Sequence, residues 1–297
     1  LTTKKTSQTI LFFGTEDFSL TVLKKLTEAG FTIGAVITKP DVRRGRSAAD
    51  TFPAIKQYAL RQNIPVWQPT KLSEIAKDIQ QFDSPAGVLV SYGKIISQSI
   101  IDLFAPGIIN VHPSLLPLYR GPTPIESAIL NGDTQTGVSI MQLSARMDAG
   151  PVYSQTTHQL TGSETKPQLY AQLADEGAEE LARVLPSILE GSLTPVTQNE
   201  NEATYCALLA KSDSLVNPKE HTATELERRI RAHIGFPKTR LPFAGESLIV
   251  TRAQVVQSPT EVTISCKNDT LLAINTLIAP SGKSMSADAY LLGVKNK

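Results

Sequence analysis

The chain has 297 residues, 41% hydrophobic and 19% charged, enough for two domains with a real core and unlike a disordered or low-complexity protein. Its formal net charge of +1 divides unevenly: residues 1–205 carry 17 Lys/Arg against 20 Asp/Glu, whereas 206–297 carry 12 against 8. A basic C-terminal portion on an acidic body points to a polyanionic partner, with ordinary charge scatter as the plain alternative. No stretch is long and apolar enough for a membrane-spanning helix. The polar opening, with Lys4 and Lys5, lacks the apolar core of a secretion signal. Cys206 and Cys266 stand in no metal-type spacing and read as reduced thiols of a cytoplasmic protein.

Residues 9–14 (TILFFG) read as a buried strand, and Phe18, Val22, Leu23 and Leu26 follow at helical spacing before Gly30. Residues 31–38 form the next strand, and Pro53 opens a helix to about Gln62. A short strand at 66–68, a helix at 72–79, a strand at 86–92, a short helix at 96–103 and a strand at 108–112 come next. Strands at 138–143 and 152–155 precede a long helix at 166–190. This β–α alternation predicts an α/β fold with a doubly wound, mainly parallel open sheet, whose ligands lie beyond the carboxyl ends of the strands. Residues 191–205 are polar and aperiodic and read as a linker between a catalytic domain, 1–190, and a C-terminal domain, 206–297. In the latter, a helix at 223–232 and β-type runs at 247–255, 261–266 and 271–278 suit a small barrel.

The turn after the first strand, Phe12-Phe13-Gly14-Thr15, lacks the glycine spacing that lets a backbone approach a pyrophosphate, which argues against a dinucleotide site. The informative stretch is 109–150. Asn110 and His112 are two apart on a strand, so their side chains can address one point. Taken alone, a satisfied structural histidine is the simpler reading. The loop that follows, 113–124, holds four prolines in twelve positions and is stiff enough to position a ligand beside the strand end. Asp148 follows the strand at 138–143, so Asn, His and Asp can converge on one crevice.

Asn110-Val111-His112, Ser114-Leu115-Leu116-Pro117 with Arg120-Gly121, and Asp148 with Gly150 together resemble the folate-dependent formyltransferases. The opening Phe13-Gly14-Thr15-Glu16-Asp17-Phe18 narrows the resemblance to those members that act on methionyl-tRNA. So do Asn131-Gly132-Asp133, Thr136-Gly137-Val138-Ser139-Ile140-Met141 and the tail from Ala279 to Ala287. It extends from about Thr9 to Leu292. The resemblance implies a Rossmann-like catalytic domain followed by a small open β-barrel domain that binds tRNA. It implies transfer of the formyl group of 10-formyltetrahydrofolate to the amino group of initiator methionyl-tRNA, with no metal and no obligate protein partner.

Within it, Asn110, His112 and Asp148 take the catalytic roles. Ser114, Leu115, Leu116 and Pro117 contact the folate, and Val90, Ser91, Tyr92 and Gly93 lie near its pterin. The basic loop with Lys39, Arg43, Arg44 and Arg46 grips the acceptor end of the tRNA, joined by Lys211. Val42, Ala48, Ala49 and Leu208 depart from the commoner pattern, where basic residues are frequent. Rivals with the same chemistry are formylation of a sugar amine or of glycinamide ribonucleotide, and hydrolysis of the formyl donor. A non-enzymatic RNA-binding protein would have no need of the trio.

Overall fold

A computed structural model describes residues 8–41 and 52–295. Arg43, Arg44 and Arg46, with Val42, Ala48 and Ala49, lie outside the described residues. The strands are β1 (Ile10–Gly14), β2 (Ile33–Ile37), β3 (Val66–Trp67), β4 (Ala86–Val90), β5 (Ile108–His112), β6 (Gln135–Gln142) and β7 (Val152–Gln159). The helices among them are α1 (Asp17–Glu28), α2 (Ala54–Arg61), α3 (Ala76–Ile79), α4 (Gln98–Ile101), α5 (Pro124–Asn131) and α6 (Lys166–Leu189). The chain goes on through α7 (Ala223–Ala232), β8 (Thr239–Phe243), β9 (Glu246–Val256), β10 (Thr263–Ser265), β11 (Leu271–Ile278), β12 (Ser284–Ser286) and α8 (Ala287–Lys295).

By its internal contacts the chain forms two compact units. The first comprises 1–121, 136–158 and 170–205, and the second 122–135, 159–169 and 206–297. The division therefore differs from three consecutive stretches. Residues 191–205, polar and aperiodic as a linker would be, pack into the first unit. Val196 pairs with Val152 across an isolated β-bridge, Tyr205 pairs with Arg120, and Gln198 is buried.

The first unit is built on a seven-stranded sheet in the order β3-β2-β1-β4-β5-β6-β7. β1 lies parallel to β2 and β4, β2 to β3, and β4 to β5, whereas β6 runs antiparallel to β5. Strands covered on both faces favour apolar residues throughout: β1 (ILFFG) and β5 (IINVH) are buried at every position, and β5 departs from that pattern at Asn110 and His112. The apolar spacing of α1 buries Phe18, Val22, Leu23 and Leu26. Gly177 lets α6 approach the sheet: a Cβ there would stand 2.9 Å from Val111 Cγ1 and 3.1 Å from Val138 Cγ1.

The second unit carries an antiparallel sheet in the order β10-β11-β9-β8, with β12 on β11, curled into a half-barrel. Leu226 and Ile230 of α7 share its core with Leu241, Leu248, Leu272 and Leu277. Thr222 caps α7: its hydroxyl accepts from Glu225 N at 3.3 Å, and the Glu225 carboxylate accepts from Thr222 N at 2.7 Å.

Candidate active site

The parallel strands β1, β2, β4 and β5 all end on one edge of the first unit's sheet, which places Thr15, Lys39, Ser91 and Pro113 along that edge. Such an edge is where an open α/β sheet binds its ligand. Asn110 and His112, each 5% exposed, lie on β5 at its end. The Asn110 side chain makes no hydrogen bond among the described residues, so a nearly buried amide keeps its donors for something else.

His112 is held from two sides. Its Nε2–H donates to the Tyr119 carbonyl at 3.0 Å; since a carbonyl only accepts, Nε2 must carry the proton. Nδ1 stands 3.8 Å from Asp148 Oδ2, an ion-pair distance rather than a hydrogen bond. The same Oδ2 accepts from Gly121 N at 2.8 Å. The structure thus brings His112 and Asp148 together, and Asn110 sits on the same face of β5 as His112.

The proline-rich loop is fastened from beneath. Ser139, fully buried on β6, accepts from Leu116 N at 3.0 Å and donates to the Ser114 carbonyl at 2.6 Å. Gln155 on β7 donates to the Leu116 carbonyl at 2.9 Å and to Ser139 Oγ at 2.8 Å. The Ser114 hydroxyl is turned inward onto the Leu118 carbonyl at 2.6 Å, which leaves backbone and apolar surface as what this loop offers a ligand. Leu115 and Pro117 are half-buried and Leu116 is buried.

On β4, Val90 ends the strand, and Ser91 (φ 44°) and Gly93 (φ 68°) carry the chain through left-handed backbone. Between them Tyr92 is fully buried, edge-on to Phe13, and its hydroxyl has no hydrogen-bond partner among the described residues; burial pushes that phenol up to about 12. A Cβ at Gly93 would strike Lys39 Nζ, so the Lys39 amine lies over the Ser91–Gly93 turn. Lys211, exposed, opens a short 3₁₀ turn, and Leu208 is 77% exposed.

A second cluster surrounds Arg120, a fully buried guanidinium. Its Nε and Nη2 donate to Gln198 Oε1 at 3.0 and 2.9 Å. Nη2 also donates to Glu200 Oε1 at 2.9 Å, and Nη1 to Glu200 Oε2 at 3.2 Å and the Tyr205 hydroxyl at 3.0 Å. Arg146 closes on the other side of Glu200 at 2.7 Å. The hydrogen bonds from Arg120, and then from Arg146, hold the Glu200 carboxyl at about 2. The Glu200 contact in turn raises Arg120 further.

In the sequence Arg120-Gly121 stands out only as part of a motif, and nothing marks Gln198, Glu200 or Tyr205 as partners of Arg120. They lie about eighty residues from Arg120 in an aperiodic stretch, where one-dimensional spacing carries no signal. Among the described residues no group of His, Cys, Asp and Glu is arranged to hold a metal ion, and no helix is long and apolar enough to cross a membrane.

Residues 8–185 match the formyl transferase family. The methionyl-tRNA formyltransferase of Myxococcus xanthus is 35% identical over 300 residues, 96% of this chain and 95% of the relative. That of Halorhodospira halophila is 40% identical over 233 residues, 78% of this chain and 75% of the relative. Among solved structures, the sugar 3N-formyl transferase WlaRD, crystallised with dTDP and 5-N-formyl-THF, aligns with a TM-score of 0.67 at 20% identity. The alignment covers 91% of this chain and 97% of that one. HypX of Aquifex aeolicus, in complex with tetrahydrofolic acid, aligns at 0.65 and 16% identity over 95% of this chain and 46% of its own. At those identities the two structures speak for the fold alone.

Proposed function

The chain belongs to the formyl transferase family, among its methionyl-tRNA formyltransferases, and from there we propose that Asn110, His112 and Asp148 carry the formyl transfer. The donor proposed is 10-formyltetrahydrofolate and the acceptor the amino group of initiator methionyl-tRNA, in the cytoplasm. The observation that carries the assignment is the nearly buried Asn110 amide, without a hydrogen bond among the described residues, on the same strand face as a histidine braced by Asp148. As the amine attacks the formyl carbon, negative charge gathers on the formyl oxygen. The Asn110 amide and a protonated His112 can each donate a hydrogen bond to it. The attacking amine gives up a proton and the departing folate nitrogen takes one, so the transfer balances without an external acid or base. Asp148, beside Nδ1, can order the water that relays the proton.

The surroundings fit a folate. Val90, Ser91, Tyr92 and Gly93 provide a left-handed turn at the end of β4 that is exposed at Gly93; Ser114, Leu115, Leu116 and Pro117 provide a braced apolar loop. The proposed tRNA contacts are Lys39, Arg43, Arg44, Arg46 and Lys211, together with the basic C-terminal domain, through phosphate neutralisation. Lys39 lies over Gly93, beside the turn proposed to take the donor.

The decisive measurement supplies 10-formyltetrahydrofolate with charged initiator tRNA, and separately with amino sugars, in single-turnover assays at fixed salt. Formylation of the tRNA alone is expected. Transfer to amino sugars at comparable rates would replace this assignment. Asp148→Asn is expected to cut turnover at least a hundredfold, the scale of a general acid–base contribution (about 10²–10⁴-fold), with donor binding nearly unchanged.

A further inference from the structure

We propose that Gln198 and Arg120 are positioning residues that hold the Asp148 loop in register with His112, an inference that rests on Asp148 being catalytic. Asp148 occupies left-handed backbone at φ 46°, which a residue with a Cβ keeps only where its surroundings enforce it. The enforcing group is the Gln198 amide. Its Nε2 donates to the Asp148 carbonyl at 2.8 Å and to the Gly150 carbonyl at 2.6 Å, bracketing Ala149. Its Oε1 receives Nε and Nη2 of Arg120. Carbonyls only accept and a guanidinium only donates, so the amide has a single workable orientation.

Arg120 is locked in turn. Glu200 and Tyr205 take its remaining donors, and its backbone N–H donates to the Thr204 carbonyl at 2.9 Å. The next residue, Gly121, supplies the N–H that holds Asp148 Oδ2. One assembly therefore fixes both the backbone and the carboxylate of Asp148. Gln198 is 8% exposed and Arg120 fully buried, and neither bonds Asn110 or the His112 ring, so both act through Asp148.

The test uses the full chain with Gln198→Glu. Glutamate keeps the size and still accepts from Arg120, yet it presents an oxygen to the two carbonyls in place of a donor. The expected result is a thermal midpoint within a few degrees of the parent and kcat lowered about 10–100-fold, as for other supporting partners of a site, with KM for donor and tRNA within about twofold. In the Asp148→Asn background the same change is expected to add nothing, because both act on one element. A parental kcat for Gln198→Glu overturns the proposal, and so do effects that multiply in the double variant. Should Gln198→Glu fail to fold, Gln198→Met also removes the donor, and the same two comparisons decide. A parental kcat for Asp148→Asn would overturn the catalytic reading of Asp148 itself, whatever Gln198 does.

Discussion

Gly150 shows how tightly the loop after β6 is drawn. A Cβ at this position would fall on the Gln142 carbonyl oxygen, backbone that no side-chain rotation can move. Gly150→Ala is therefore expected to destabilise the protein by about 1–3 kcal/mol, the scale of overpacking, and to slow turnover because Asp148 shifts with it. Urea unfolding checks the first effect; an unchanged midpoint would mean the loop yields freely. Residue by residue, the catalytic candidates were legible because each is tied to a recognisable strand: Asn110 and His112 by alternation on β5, Asp148 by its place after β6. What fixes them was hidden. A buried arginine's partners can come from anywhere in the chain, and Gln198 lies 50 residues beyond Asp148. The inward turn of the Ser114 hydroxyl was equally invisible, since composition does not tell which way a loop serine faces.

At the scale of elements, long periodic segments were read correctly: α1, α6 and α7 lie where apolar spacing put them, and β11 matches its run end to end. Four elements escaped, α5, β8, β12 and α8, the first two for local reasons. α5 begins at Pro124 straight out of the proline-rich loop, where proline at the first helical position serves as a starter. β8 contains Pro242, which weakens a strand reading; the strand tolerates it because it lies at the sheet edge, paired along its length to β9 and on the other side only bridged to Leu215 at Arg240. The end of α7 yields a prediction. His233, its C-cap, is 1% exposed, and neither ring nitrogen has a hydrogen-bond partner among the described residues.

Burial first, and then the charge of Arg229 and more weakly Lys166, against an opposing pull from Asp213, lower the ring to about 4. A depressed histidine stays neutral when folded and gains its proton more readily when unfolded. The stability it contributes is complete above the unfolded value of about 6.5, falls with pH to about 4, and is flat below that. The full effect is on the order of 3 kcal/mol. His233→Leu is expected to flatten the dependence of the unfolding midpoint on pH in that window while leaving stability near pH 7.5 little changed. A parental slope in the variant would assign the acid sensitivity to other groups.

On the scale of the whole molecule, the alternation of strands and helices made the architecture readable, but the chain's linear order misleads about where to cut it. Each compact unit is assembled from three separate stretches. A chain ending at Glu190 keeps Asn110, His112 and Asp148 but loses Val196, Gln198, Glu200, Thr204 and Tyr205. Arg120 would then be a guanidinium without Gln198 Oε1, the Glu200 carboxylate or the Tyr205 hydroxyl. Stripping partners from a buried charge costs about 3–5 kcal/mol.

A chain ending at Tyr205 keeps that network, though residues 122–135 and 159–169 are left without the rest of their unit. Both fragments should melt below the full chain, and the shorter one lower still. Only the longer one is expected to bind a 10-formyltetrahydrofolate analogue, provided each is shown to be folded. It should formylate charged tRNA poorly at physiological salt, chiefly through KM, since binding shared by ground and transition states is what the basic portion supplies. Calorimetry and equilibrium binding on the two fragments decide the matter. Equal midpoints and equal donor affinity would show that 191–205 is the spacer its composition resembles. A longer fragment with the full chain's KM for tRNA would take the polyanion away from the C-terminal domain.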